Sequence, residues 1–212
     1  MPDLQLIGAP QSNYVWVCRI ACAEKGVPYT LVPVFPHTQE VDAIHPLGKI
    51  PALRHGAFTL CESRAICCYI DRAFAGPNLV PREPLAAARV EQWLSIVNTA
   101  MDPVLVRQYL GAHFFPGTPD GSPDQARIEA ALPKMKTQLA VLDRAVAATG
   151  HLAGEDFTLA DINLLPILYY LGKLPQSAAM IAENAALSAY YARHSARESV
   201  QSTLPPPLPG RG

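Results

Sequence analysis

Two dipeptides of this chain have side chains and placement suited to holding a ligand: Glu62-Ser63 and Ile50-Pro51. Glu62-Ser63 stands where a strand-like run, Phe58-Thr59-Leu60-Cys61, gives way to a helical pattern with Ile66, Tyr69 and Ile70 on one face. Ser63 is the expected N-cap of that helix. Free N–H groups and the positive end of a helix dipole attract a carboxylate at such a place. Glu62 beside it can bind an ammonium, so the pair can hold both ends of a zwitterionic amino-acid group. The plain alternative is that both residues only cap the helix. Ile50-Pro51 opens the apolar run Ile50-Pro51-Ala52-Leu53. A proline there cannot donate to a ladder and marks a strand start or an edge. In cis it turns the N–H and C=O of Ile50 outward, towards a peptide-like ligand. In trans, the commoner isomer, it is an ordinary edge residue.

The elements that must position these residues follow from pattern. The two apolar runs flank Arg54-His55-Gly56-Ala57 and read as a β-hairpin, followed by the helix from residue 63. Upstream, Leu4 to Ile7 is a short strand and Tyr14 to Lys25 a helix stopped by Gly26. Tyr29 to Val34 is a second strand, and Glu40 to Ile44 a short helix. The order β-α-β-α-β-β-α is that of a thioredoxin-like domain. In such domains the active residue sits at the start of the first helix, which here is Ser12. A protein dithiol would need Cys-x-x-Cys at that place, but Ser12 and Val15 occupy the two positions, which excludes disulfide exchange there.

Downstream the pattern is helical. Long helices are expected over 85–109, 125–148 (with Pro133 inside) and 158–171, and shorter pieces over 177–194. Thr158 and Asp161 form a capping box, with Phe157 and Ile162 as its hydrophobic staple, so the role of Asp161 is structural. The expected fold is an α/β thioredoxin-like N-terminal domain plus an all-α C-terminal helical domain. Its boundaries are 1–75, a linker at 76–84, helices over 85–203 and a proline-rich extended or disordered tail at 204–212.

Composition narrows the function. The 212 residues are half hydrophobic, enough for a sizeable core, and the net charge is −1. That balance gives no electrostatic case for nucleic acid or an anionic membrane. No apolar run reaches spanning length, and Met1-Pro2-Asp3-Leu4 lacks a signal-peptide pattern. The five cysteines lack zinc-site spacing and read as reduced, mostly buried thiols, so no metal and a cytoplasmic location are expected.

Gly48-Lys49-Ile50-Pro51-Ala52-Leu53, a short turn, then Glu62-Ser63-Arg64-Ala65-Ile66 and Tyr69-Ile70 resemble the glutathione-binding half of the glutathione transferases, in particular the phi, theta and zeta-like serine classes. The Thr158 box and Ala192 to Gln201 resemble segments of the helical half of that family. The resemblance implies a cis Ile50–Pro51 bond and glutathione as co-substrate. It also implies that Ser12 is the catalytic residue, since the serine classes keep the interval between Ser12 and Glu24-Lys25-Gly26.

The further glutathione contacts it implies are Ile50, Pro51, Glu62 and Ser63, with His37 and Lys49 for the glycine carboxylate and Gln39 as a spare donor. Tyr14 is a rival hydroxyl, ranked second because it falls inside the first helix; Cys18 lies deeper and reads as core. Hydrophobic electrophilic acceptors are expected against the long helix and the loop after Ala9, with Trp93, Met101, Tyr109, Phe114 and Phe115 as candidates that each also fit a core. A homodimer with Arg64 near its interface is a further implication. The expected reaction is conjugation of the glutathione thiol to electrophiles. The alternatives are a non-catalytic binding or scaffold protein of the same fold, or a glutathione-dependent peroxidase, dehalogenase or isomerase.

Overall fold

The structure, a computed structural model, describes residues 3–207. The expected tail is described at 204–207, which carry no regular structure, and otherwise lies outside the described residues. The chain divides into two compact units. One holds the residues up to Val80 together with those from Ala196 onward; the other is Pro81–Ser195.

The first unit is built on a sheet of four strands: β1 (Leu4–Ile7), β2 (Thr30–Val32), β3 (Ala52–His55) and β4 (Phe58–Cys61), in the order β2-β1-β3-β4. β1 and β2 run parallel, joined through helix α1 (Asn13–Glu24); the other two pairings are antiparallel. The parallel pair needs a crossover because no tight turn can join strands of the same direction. The hairpin is tighter than its apolar runs suggest. His55 pairs with Phe58, so Arg54 and His55 belong to the ladder and only Gly56-Ala57 turn. Gly56 supplies the positive φ (57°) that a two-residue turn requires. Helix α2 (Gln39–Asp42) precedes β3, and α3 (Ser63–Ala73) follows β4. Ile7, Val41 and Ala52 form a buried cluster beneath Val32, Val34, Ile44 and Ile50.

The far end of α1 explains Glu24-Lys25-Gly26. Gly26 has φ 65° and closes the helix, Val27 N–H reaching back to Cys22 C=O at 2.8 Å. The Lys25 ammonium is buried and donates to Asp71 C=O (2.9 Å), the Asp71 carboxylate (3.3 Å) and Pro77 C=O (3.1 Å). The Glu24 carboxylate accepts two 2.9 Å bonds from Arg197 and one from Ser199. Trp16 donates its indole N–H to Thr203 at 2.9 Å. These bonds correct the expected boundary at residue 203. The short helix α10 (Glu198–Gln201) is held by α1 and belongs with the first unit, not with the helices that precede it.

The second unit is helical. The expected long helix runs further than its period suggests: α4 (Pro84–Ile96) continues through π-helical turns at Val97–Met101 and Pro103–Leu110 into α5 (Gly111–Phe114). Pro103 has no N–H, and its ring clashes with the carbonyl of an ordinary α-turn; widening the turn accommodates it. α6 (Gln125–Thr149) ends at Gly150 with φ 81°, and α7 (Leu159–Gly172) is buried along almost its whole length. α8 (Pro175–Ala182) and α9 (Ala185–Ser195) complete the unit. The architecture is thus a thioredoxin-like domain with a four-stranded sheet, and a helical domain.

Candidate functional site

Register fixes which residues meet. Ile7 pairs with Ala52, and Ala52 with Cys61, so one end of the sheet presents the exit of β1, the entry to β3 and the exit of β4. Ser12 follows the first, Ile50-Pro51 precede the second, and Glu62-Ser63 follow the third. Both α1 and α3 therefore start at this end. Gly8 brings the pieces close: a Cβ there would stand 2.6 Å from Val15 Cγ2 and 3.0 Å from Ile50 Cβ. Only a glycine lets the loop of Ser12 lie against Ile50. Behind the two helix starts, Cys18 Sγ lies 3.8 Å from Ser63 C=O and 3.9 Å from Cys67 Sγ. Burial holds the Cys18 and Cys22 thiols well above their ordinary range, so both stay protonated and inert, as core residues do.

Ser12 is the N-cap of α1. Its Oγ accepts from Val15 N–H at 3.4 Å, a long bond, and its own N–H donates to Ala9 C=O at 3.0 Å. A hydroxyl has two acceptor lone pairs and one donor. Capping uses a lone pair and leaves the O–H for a ligand, so the hydroxyl can both cap α1 and meet a ligand. Tyr14 lies within α1, as expected.

At α3 the structure corrects the expected cap. Ser63 is the first helical residue and Glu62 is the N-cap, with φ 72° and ψ 117° and no side-chain cap bond. The carboxylate, which would normally turn back on the helix, makes no such bond and is about two-thirds exposed (69%). Ser63 is buried. The Ile50–Pro51 bond is cis, as the family resemblance implies.

His45 is a residue that sequence reasoning missed. Its side chain is buried, its Nδ1 accepts from Leu47 N–H at 3.1 Å, and its Nε2 lies 3.5 Å from Glu62 Oε1. A signal was present: a side-chain acceptor two residues before an N–H it can cap, at the head of the Pro46-Leu47-Gly48 turn.

The remaining candidates are less closely gathered. His37 has φ 60°, donates its N–H to Gly48 C=O at 2.9 Å, and packs its ring where a Gly48 side chain would be. Lys49 and Gln39 are exposed, one before Ile50 and one at the start of α2. Met101 and Tyr109 are core residues of the second unit, Trp93 and Phe114 are half-buried there, and Phe115 is exposed. A hollow of about 480 Å³ opens at the opposite end of α1, lined by Ala23, Glu24, Arg197, Glu198, Ser199 and Ser202. Its Glu24 is already paired with Arg197 and Ser199, so we place no chemistry in it. Among the described residues no cluster of His, Cys, Asp and Glu is arranged to hold a metal, and no helix is long and apolar enough to cross a membrane.

Comparison with known proteins gives the same picture at both ends of the chain. Residues 6–78 match the family pattern described as glutathione S-transferase, N-terminal domain, and residues 105–198 match glutathione S-transferase, C-terminal domain. Glutathione S-transferase 3 of Zea mays is 34% identical over 98% of this chain and 98% of its own. Among solved structures, glutathione transferase F7 of Populus trichocarpa is 31% identical with a TM-score of 0.85, covering 94% of this chain and 97% of its own. A theta class glutathione S-transferase of Xanthomonas axonopodis pv. citri, solved with glutathione bound, is 30% identical with a TM-score of 0.86, covering 98% of this chain and 100% of its own.

Proposed function

The chain belongs to the glutathione S-transferase family, and from that membership we propose how this glutathione transferase divides its work between two helix starts. Glutathione, the co-substrate, brings the reactive sulfur. The observation that carries the reading is the arrival at one sheet end of the Ser12 cap of α1 and the uncapped Glu62-Ser63 start of α3.

The start of α3 takes the γ-glutamyl end of the tripeptide. Its N–H groups and the Ser63 hydroxyl donate to the α-carboxylate, and Glu62 pairs with the α-ammonium. Ile50, ahead of Pro51, offers backbone groups to the peptide, and His37 and Lys49 hold the glycine carboxylate. This leaves the cysteine sulfur at Ser12. A free thiol with a pKa near about 8.5 is mostly protonated at neutral pH. The Ser12 O–H donates to the thiolate and not to the thiol, and the positive end of α1 adds to the preference. Each unit of pKa lowered requires about 1.4 kcal/mol of differential stabilisation, which one or two charge-assisted bonds supply. The proton leaves to solvent, and the thiolate attacks an electrophilic carbon of a hydrophobic small molecule; as the C–S bond forms, the bond to the leaving group breaks, which for an aryl halide releases halide. We place the enzyme in the cytoplasm as a homodimer with Arg64 near its interface.

Thiolate absorbance in the ultraviolet tests binding and activation together. Bound glutathione should titrate below free glutathione in the wild type and move back up in Ser12→Ala, with affinity kept within a few-fold. A variant that titrates and conjugates an aryl halide like the wild type would leave Ser12 as a cap alone.

A further inference from the structure

We infer that His45 is a positioning residue that orients the Glu62 carboxylate for the ammonium of glutathione; the inference rests on the proposed role of Glu62. Three observations carry it. First, the imidazole has almost no contact with water, its side chain being 3% exposed, and a buried polar ring keeps its nitrogens partnered. Second, Nδ1 accepts from Leu47 N–H at 3.1 Å, which puts the ring proton on Nε2. Third, Nε2 lies 3.5 Å from Glu62 Oε1, a long polar contact that sets the ring beside that oxygen.

The ring is itself held in place. His45 N–H donates to Val41 C=O at 2.7 Å, and His45 C=O accepts from Gly48 N–H at 2.9 Å. The tautomer and the direction of the donor are thus set by the loop. Glu62 has the opposite character. It makes no bond to the helix it begins, and its carboxylate stands mostly in solvent. A free glutamate side chain has many rotamers to lose when it binds a cation. A fixed imidazole beside one oxygen removes part of that freedom beforehand and leaves the other oxygen for the ligand.

The two nitrogens can be tested separately. Asparagine places its carbonyl oxygen where Nδ1 is and keeps the Leu47 bond, but does not reach Glu62. Glutamine places an amide N–H where Nε2–H is and keeps the donor to Glu62. Calorimetric titration with glutathione should give His45→Asn a Kd raised about 3- to 5-fold, the size of a partly exposed ion contact. His45→Gln should stay within about 2-fold of wild type. With glutaryl-cysteinylglycine, the same peptide without its ammonium, both variants should match the wild type, and kcat at saturating glutathione should not move in either.

The inference is overturned if the two variants weaken glutathione alike, if neither weakens it, or if the loss in His45→Asn persists with glutaryl-cysteinylglycine. Glu62→Gln separates it from its premise. If that variant keeps full affinity, the role of Glu62 falls and the inference with it; if it weakens binding while His45→Asn does not, only the inference falls. Nitrogen NMR of the imidazole in the unsubstituted protein gives a second measurement. It should show His45 protonated at Nε2, shifting with glutathione and not with the ammonium-free peptide; a proton on Nδ1 overturns the inference.

Discussion

Two helices of this chain begin beside a carboxylate and use it in opposite ways. At the start of α7, Asp161 is wholly buried and its oxygens accept from Thr158 N–H (2.8 Å), Thr158 O–H (3.2 Å), Leu152 N–H (2.8 Å) and Tyr190 O–H (2.9 Å). At the start of α3, Glu62 caps nothing, has a backbone in a region side chains avoid, and stands mostly exposed. A helix start leaves donors that something must satisfy. Where the chain's own side chains satisfy all of them, the carboxylate serves stability. Where they are left open behind a strained residue, the site has capacity for a ligand.

The strongest way to break this comparison is Asp161→Ala. It leaves two backbone donors and two hydroxyls buried without their acceptor, so urea unfolding should show a loss of about 3–5 kcal/mol. The folded fraction should bind glutathione as before. A loss below about 1 kcal/mol would mean that the buried box is not the anchor it resembles.

Acid should act on the same unit. Burial is the main cause that pushes the His194 imidazole down, from its ordinary 6.5 to about 4, against the pull of Gly150 C=O and the Asp161 charge. The unfolded chain therefore takes up a proton near pH 6.5, and the folded chain only near pH 4. The contribution of His194 should be constant above pH 6.5 and fall as pH drops from about 6.5 to 4, by up to about 3 kcal/mol. Urea midpoints at either end of that window measure it, and His194→Gln should flatten the slope.

The difference between the two starts also marks what could be read from sequence. The Thr158-Asp161 box was legible because every partner of the motif but Leu152 and Tyr190 lies within a few residues. The sheet and the helical half were legible because apolar runs with turns mark strands and a helical period marks helices. The placing of Ser12, Pro51, Glu62 and Ser63 together came instead from the thioredoxin-like order and the family resemblance, and their roles stand as proposals. The cap shift from Ser63 to Glu62 was not, because it depends on a backbone angle that no pattern encodes. The π-helical turns around Pro103 stayed hidden because apolar spacing does not distinguish an α-turn from a wider one. His45 was missed because its partner is in another element, and α10 because Arg197 and Ser199 meet Glu24 far away in sequence.

Ser12→Ala sharpens the comparison from the ligand side. If Ser12 supplies one donor to the thiolate, the thiol of bound glutathione should rise by about 1–2 pKa units, and conjugation at neutral pH should slow about 10- to 100-fold. The same variant also removes a cap bond, but a long one of 3.4 Å. Unfolding should register less than about 1 kcal/mol, at the low end for N-caps. A large stability loss with little change in rate would place Ser12 with Asp161 and not with Glu62.

The smallest effect discriminates most sharply, because its sign differs between two measurements. Glu62 holds φ 72° with a Cβ that disfavours it. Glycine, without a Cβ, meets less resistance at φ 72° and ψ 117°, so Glu62→Gly relieves strain, and part of the gain is lost to the greater freedom of glycine in the unfolded chain. The net should be a gain of about 0.5–1 kcal/mol in urea unfolding. Glutathione affinity should fall in the same variant, since the carboxylate is gone. At Asp161 no substitution should raise stability, because that residue is the acceptor its neighbours depend on. If Glu62→Gly instead destabilises the fold and leaves affinity intact, Glu62 supports structure as Asp161 does, and the contrast between the two helix starts disappears.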